Sequence, residues 1–149
     1  MSDEPLELSI GSIQSEFLRV RVLRRTYPTA DDYWDGNWLN TEIEISAGEF
    51  GGGYGANLRV DEFVDFRRQL ALLSENLKGK ASFTATELWI QISAEGDGLG
   101  HFDVACEAKD NLGPGNTLNF RLGFDQTELA RMLHQLGRIV ERFPLRGSP

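Results

Sequence analysis

The stretch Asp61-Glu62-Phe63-Val64-Asp65-Phe66-Arg67-Arg68-Gln69-Leu70-Ala71-Leu72-Leu73-Ser74-Glu75-Asn76-Leu77-Lys78-Gly79 decides the fold. Phe63, Phe66, Leu70, Leu73 and Leu77 recur at alternating spacings of three and four, which puts them on one buried face of a helix. Asp61 is placed to cap that helix and Gly79 to stop it, so the expected span is about Glu62 to Leu77. Upstream the apolar period drops to two. Leu6, Leu8 and Ile10, then Leu18, Val20 and Val22, then Ile43 and Ile45, then Leu58 and Val60 alternate with polar neighbours, the pattern of half-buried antiparallel strands. The first two segments are expected to pair around Gly11-Ser12. The run Gly48-Glu49-Phe50-Gly51-Gly52-Gly53-Tyr54-Gly55 breaks the third pattern and reads as a glycine-rich connection, a β-bulge or flexible hairpin.

Downstream the plan recurs. Phe83, then Leu88, Ile90 and Ile92, then Phe102, Val104 and Cys106, then Leu118, Phe120, Leu122 and Phe124 mark strand segments, with hairpin signals at Gly96-Asp97-Gly98 and Gly113-Pro114-Gly115. Asp125 followed by Glu128 has the form of a capping box and opens a helix through Leu129, Leu133, Leu136, Val140 and Phe143. An offset of 63 superimposes Phe66, Leu70, Leu73 and Leu77 on Leu129, Leu133, Leu136 and Val140. A duplication and the shared periodicity of any two amphipathic helices explain this equally well. The expected fold is α+β, one domain over residues 1–149: a largely antiparallel sheet with two amphipathic helices on its apolar face, in half-repeats of about 6–79 and 80–145.

A chain of 149 residues can bury a core without disulfides or metals. Met1 to Pro5 and Gly147 to Pro149 are expected to be loose. The single cysteine, Cys106, excludes an internal disulfide and suits a reducing compartment. With neither a signal peptide nor an apolar run of membrane-spanning length, the sequence reads as cytoplasmic. Fifteen Lys and Arg against 23 Asp and Glu give a net charge of −8, which repels a phosphate backbone and suits a basic protein partner, although many proteins are acidic only for solubility.

No catalytic residue, metal ligand or cofactor is assigned. His101, Asp103 and Glu107 share one face of a predicted strand; a small metal-dependent hydrolase would use such a trio, but a solvated sheet face accounts for it. The glycine run has no following Lys-Ser or Lys-Thr and precedes a strand, so it is not a phosphate loop. Arg19, Arg21, Arg24 and Arg25 form the densest basic cluster and read as a salt-laced outer face rather than a ligand site, with Arg19 and Arg21, which point away from Val20 and Val22, placed to pair with Glu42 and Glu44. The most unusual segment is Asp31-Asp32-Tyr33-Trp34-Asp35-Gly36-Asn37-Trp38-Leu39-Asn40, which holds two of the three tryptophans. It either clamps a loop onto the core or forms a recognition surface; in the second case Asp31, Asp32, Trp34, Asp35 and Trp38 are the expected partner contacts.

Asp32-Tyr33-Trp34-Asp35-Gly36-Asn37-Trp38-Leu39, Gly48-Glu49-Phe50, Asp125-Gln126-Thr127 and Phe143-Pro144-Leu145-Arg146-Gly147 resemble the WapI family of bacterial immunity proteins, from about Thr26 to Gly147. The resemblance implies a small, non-enzymatic cytoplasmic protein that binds and neutralises a cognate toxin domain, such as a nuclease; the acidic charge and the lack of a membrane-length apolar run argue against direct contact with nucleic acid or a membrane. The competing expectation is a protein-, peptide- or sugar-binding domain with no toxin partner.

Overall fold

The computed structural model describes residues 5–12 and 14–149; Met1 to Glu4, within the expected loose N-terminus, lie outside the described residues. Strands β1 (Glu7–Gly11), β2 (Phe17–Arg25), β3 (Trp38–Ala47) and β4 (Phe50–Arg59) form one antiparallel sheet in chain order, with a single helical turn, α1 (Tyr33–Gly36), between β2 and β3. Helix α2 (Val60–Asn76) follows. Strands β5 (Lys78–Thr84), β6 (Ile90–Asp97), β7 (His101–Lys109) and β8 (Thr117–Asp125) form a second antiparallel sheet in chain order, followed by α3 (Gln126–Arg142). The α+β class holds, with the antiparallel strands divided between two sheets. Alternation sends Leu18, Val20, Ile43 and Leu58 of the first sheet, and Phe83, Ile92, Phe102 and Val104 of the second, into a common core with Phe63, Phe66 and Leu70 of α2.

Several sequence expectations shift. The helix starts two residues earlier than Glu62, so Val60 belongs to it rather than to a strand, and Arg59 rather than Asp61 is the N-cap. Here Glu62 reaches back from N3 and accepts from the Arg59 N–H at 2.7 Å. The helix is stopped not by Gly79 but by Leu77, whose φ of 60° is left-handed and whose N–H donates to the Leu73 carbonyl. The glycine run is no loop: the chain reverses at Gly48-Glu49, and Gly51, Gly52, Gly53 and Gly55 lie within β4. Leu88 lies outside the strands and is exposed.

The helices correspond at an offset of 66, not 63, since they open at Val60 and Gln126. At this offset the N-caps Arg59 and Asp125 match, as do the N3 residues Glu62 and Glu128. The buried Phe63, Phe66, Leu70 and Leu73 fall on the buried Leu129, Met132, Leu136 and Ile139. Leu133 and Val140, assigned to the stripe by sequence, sit at its half-buried flank.

Each helix also guards the first strand of the sheet that it does not follow. Gln69 on α2 brackets Ser82 of β5, accepting from its N–H at 2.8 Å and donating to its carbonyl at 3.1 Å. Gln135 on α3, at the same offset, accepts from the Ser9 N–H of β1 at 2.9 Å, and Arg131 donates to the carbonyls of Ser9 and Gly11. These side chains satisfy backbone groups that an open edge would leave free. Gln135→Ala is expected to lower stability by about 1–2 kcal/mol, the cost of an orphaned, largely buried donor. Chemical denaturation measures the loss, and faster amide exchange confined to β1 locates it.

Candidate functional site

The Asp31 to Asn40 segment is built around buried cations that local sequence does not announce. The Asp32 carboxylate caps the turn of α1, accepting from the Asp35 N–H at 3.0 Å. Beneath it lies the guanidinium of Arg59, 3% exposed, which donates to the carbonyls of Trp34 at 2.7 Å and Tyr33 at 2.8 Å and pairs with Asp61 at 2.9 Å. The rings of Tyr33, Trp34 and Trp38 surround it at 5.0, 5.8 and 5.0 Å, so each ring face meets a desolvated cation.

A second buried cation ties the segment to the end of the chain. Arg25 donates to the carbonyls of Gly36 and Pro144, both at 2.6 Å. Burial and then the nearby Arg146 hold its pKa below the ordinary arginine value. Arg25 was grouped by sequence with an outer basic face; it is buried instead, because β2 bends at the irregularity between Val22 and Arg24 and turns it inward. Asn37, fully buried, donates to the carbonyls of Tyr33 and Arg146 and accepts from the Arg146 N–H. Arg146 in turn donates to the carbonyls of Pro28 and Ala30. The packing leaves no room for added atoms: a Cβ at Gly36 would lie 2.6 Å from the Ala30 carbonyl, and one at Gly147 only 2.8 Å from the Tyr33 nitrogen. Asp-Gly-Asn-Trp and Phe-Pro-Leu-Arg-Gly, remote in sequence, are therefore two halves of one clasp.

On this clasp Trp34 stands out at 63% exposure, with Asp31, Asp32 and Asp35 exposed around it. Trp38 is half-buried against Arg59. Tyr27 and Leu145, on the two segments that the clasp joins, are also exposed. Of the five residues named from sequence, Asp31, Asp32, Trp34 and Asp35 are exposed and Trp38 is half-buried; Arg59, Asn37 and Arg146, which hold the segment, were missed. The one available signal was that both halves of the clasp belonged to the same family resemblance.

The other candidates show no reacting constellation. His101 is exposed, with Nδ1 3.5 Å from Asp97, while Asp103 is exposed on the outer face of the second sheet. Among the described residues no group of three or more His, Cys, Asp or Glu is placed to hold a metal ion. Burial pushes the Cys106 thiol up to about 12, so it is protonated and inert at neutral pH. On the first sheet Arg19 pairs with Glu7 at 3.1 Å and Glu44 at 2.6 Å, the cross-strand pairing that the alternation implies. No helix among the described residues is long and apolar enough to cross a membrane.

The fold is shared with solved structures of low sequence identity. A guideRNA-binding protein complex bound to a gRNA matches with a TM-score of 0.52 at 13% identity, covering 93% of this chain and 92% of that one. The plant transcriptional regulator PBF-2 matches at 0.50 and 15%, covering 96% and 84%, and trypanosoma bruciei MRP1/MRP2 at 0.50 and 13%, covering 94% and 86%. At such identities the likeness is one of fold alone. No curated protein matches by sequence. The Immunity protein WapI-like family, by contrast, matches residues 9–144, which take in the first half of the clasp and reach Phe143-Pro144 of the second, and the chain belongs to that family.

Proposed function

We propose that this protein is a non-enzymatic immunity protein that binds a cognate toxin domain through the surface centred on Trp34 and so neutralises it in the cytoplasm. Membership of the immunity family supports the role. The observation that carries the surface assignment is an exposed tryptophan flanked in the chain by the exposed Asp31, Asp32 and Asp35, on a backbone fixed by Arg59 and Asn37. A large aromatic held in place loses little entropy when a partner covers it, and surrounding carboxylates favour a basic partner. Trp38 contributes its exposed edge. A nuclease fits the partner's role, since an acidic inhibitor over a basic substrate cleft excludes RNA or DNA.

The gRNA held by one structural neighbour belongs to that complex. Here the net charge of −8 opposes a phosphate backbone, and we propose no direct nucleic-acid contact. The test is capture of the C-terminal domain encoded by an adjacent toxin gene, followed by titration with salt. Tight capture that weakens as salt rises supports the reading; no capture, or capture indifferent to salt, contradicts the pairing or its acidic basis.

A further inference from the structure

The edge of the first sheet opposite β1 is built differently from the guarded ones. Ala47 and Phe50 close the hairpin around Gly48-Glu49. Hydrogen bonding alternates from that pair, so Phe50, Gly52, Tyr54 and Ala56 bond to β3 while Gly51, Gly53 and Gly55 turn their N–H and C=O groups outward. The far end of the hairpin has the same parity, since Val60 N–H donates to the Asn37 carbonyl. Among the described residues no strand pairs with this side of β4. A Cβ at Gly52 would meet nothing within 4 Å, and Cβ atoms at Gly51 and Gly53 only a carbonyl of their own partner strand. The edge is thus neither covered by a helix nor screened by side chains. On β8, the last strand of the other sheet, Thr117, Asn119 and Arg121 project instead.

Two hollows flank the bare edge. On the outer face a trough of about 370 Å³ has Gly53 and Gly55 as floor and Arg19, Arg21, Glu42 and Glu44 beside them. Across the sheet the charges alternate by strand: Glu7, Arg21, Glu42 and Gly55 lie in one row, and Arg19, Glu44 and Gly53 in the next. The place after the glycines calls for positive charge, because Glu42 and Glu44 are the nearest charged side chains and the glycines leave room to reach them. Glu49 at the turn and Asp110 at the opposite lip carry the same sign. On the inner face a cleft of about 510 Å³ is walled by Ile45, Phe50, Tyr54, Ala108 and Leu118. Phe50 is 69% exposed at its mouth.

We propose that the β4 edge binds an extended segment of another protein in which basic and apolar residues alternate. The segment adds as a fifth strand: its backbone pairs with Gly51, Gly53 and Gly55, its basic side chains cross the glycine floor to Glu42 and Glu44, and its apolar ones enter the inner cleft. This goes beyond the toxin-binding reading and is independent of it. Gly53 lies six residues from Arg59 along β4, about 20 Å from the clasp at the strand rise of ~3.3 Å per residue.

A fluorescein-labelled heptapeptide alternating valine and lysine is the probe, with a valine–glutamate heptapeptide as control, read by anisotropy and by amide exchange on the unaltered protein. Binding of the lysine peptide with slowed exchange at Gly51, Gly53 and Gly55 is expected. Glu42→Gln with Glu44→Gln should weaken it about three- to tenfold. Gly53→Pro, which removes an outward donor, should weaken it further, whereas Trp34→Ala should leave it unchanged. The proposal is overturned by unprotected glycine amides in the presence of bound peptide, by no binding at all, or by equal binding of the glutamate peptide. Loss of binding only in Trp34→Ala would move the peptide to the clasp and overturn it too. A dimer of the free protein, with the same glycines protected, would give the edge to a second copy instead.

Discussion

Arg59→Ala is expected to lower the unfolding free energy by about 3–5 kcal/mol, as when one partner of a buried charged network is removed. The substitution leaves the Tyr33 and Trp34 carbonyls without their donor, deprives Asp61 of its partner, and opens a void beneath three aromatic rings. For a chain of this length the melting temperature should fall by roughly 6–20 °C, at about 2–4 °C per kcal/mol. Asp61→Ala is the milder comparison: its side chain is 27% exposed and Arg59 keeps the Tyr33 and Trp34 carbonyls, so the expected cost is about 1–3 kcal/mol. Equal melting temperatures for Arg59→Ala and the unaltered protein would show that the clasp holds without its central cation.

Trp34→Ala should do the opposite: leave the fold intact and weaken toxin capture by roughly 2–4 kcal/mol, the range of a central aromatic anchor. That is about 30- to 1000-fold in affinity. The indole is largely in water before binding, so its removal costs the free protein little beyond the outer contact with Arg59. Trp38→Ala, which removes a half-buried ring against the same guanidinium, should instead lower the melting temperature. Measuring both variants by calorimetry and by titration with the toxin domain separates the two roles of the segment. Undiminished affinity in Trp34→Ala would remove this surface as the binding site.

The elements legible in the sequence were those set by period. Alternation gave strand segments through Val20, Ile43, Ile92 and Val104, and the three-four spacing gave both helices, because burial on one face imposes those patterns directly. Asp125 and Glu128 announced their capping box because side-chain chemistry there is local. What escaped depended on distant partners. Arg59 caps a helix, against its propensity, because its guanidinium is held by the Tyr33 and Trp34 carbonyls of another segment, while the next N–H, of Val60, donates to the Asn37 carbonyl. Leu77 takes a glycine's conformation because its side chain packs on the core. The glycines of β4 resemble a loop in composition, and only the register with β3 makes them a strand. At the candidate site the exposed aromatic and acidic residues were readable from composition, but their support was not, since its contacts span more than a hundred residues.

That long span also orders events in time. A chain emerging from the ribosome presents Tyr33, Trp34 and Asn37 early, yet Asn37 has no Arg146 backbone to hold, and Arg25 no Pro144 carbonyl to meet, until more than a hundred further residues have been added. A polypeptide that stops before residue 144 would therefore carry both sheets and most of α3, with Arg59 still on the Tyr33 and Trp34 carbonyls but Arg25 and Asn37 without their remote partners, so the clasp closes only after both sheets have been made.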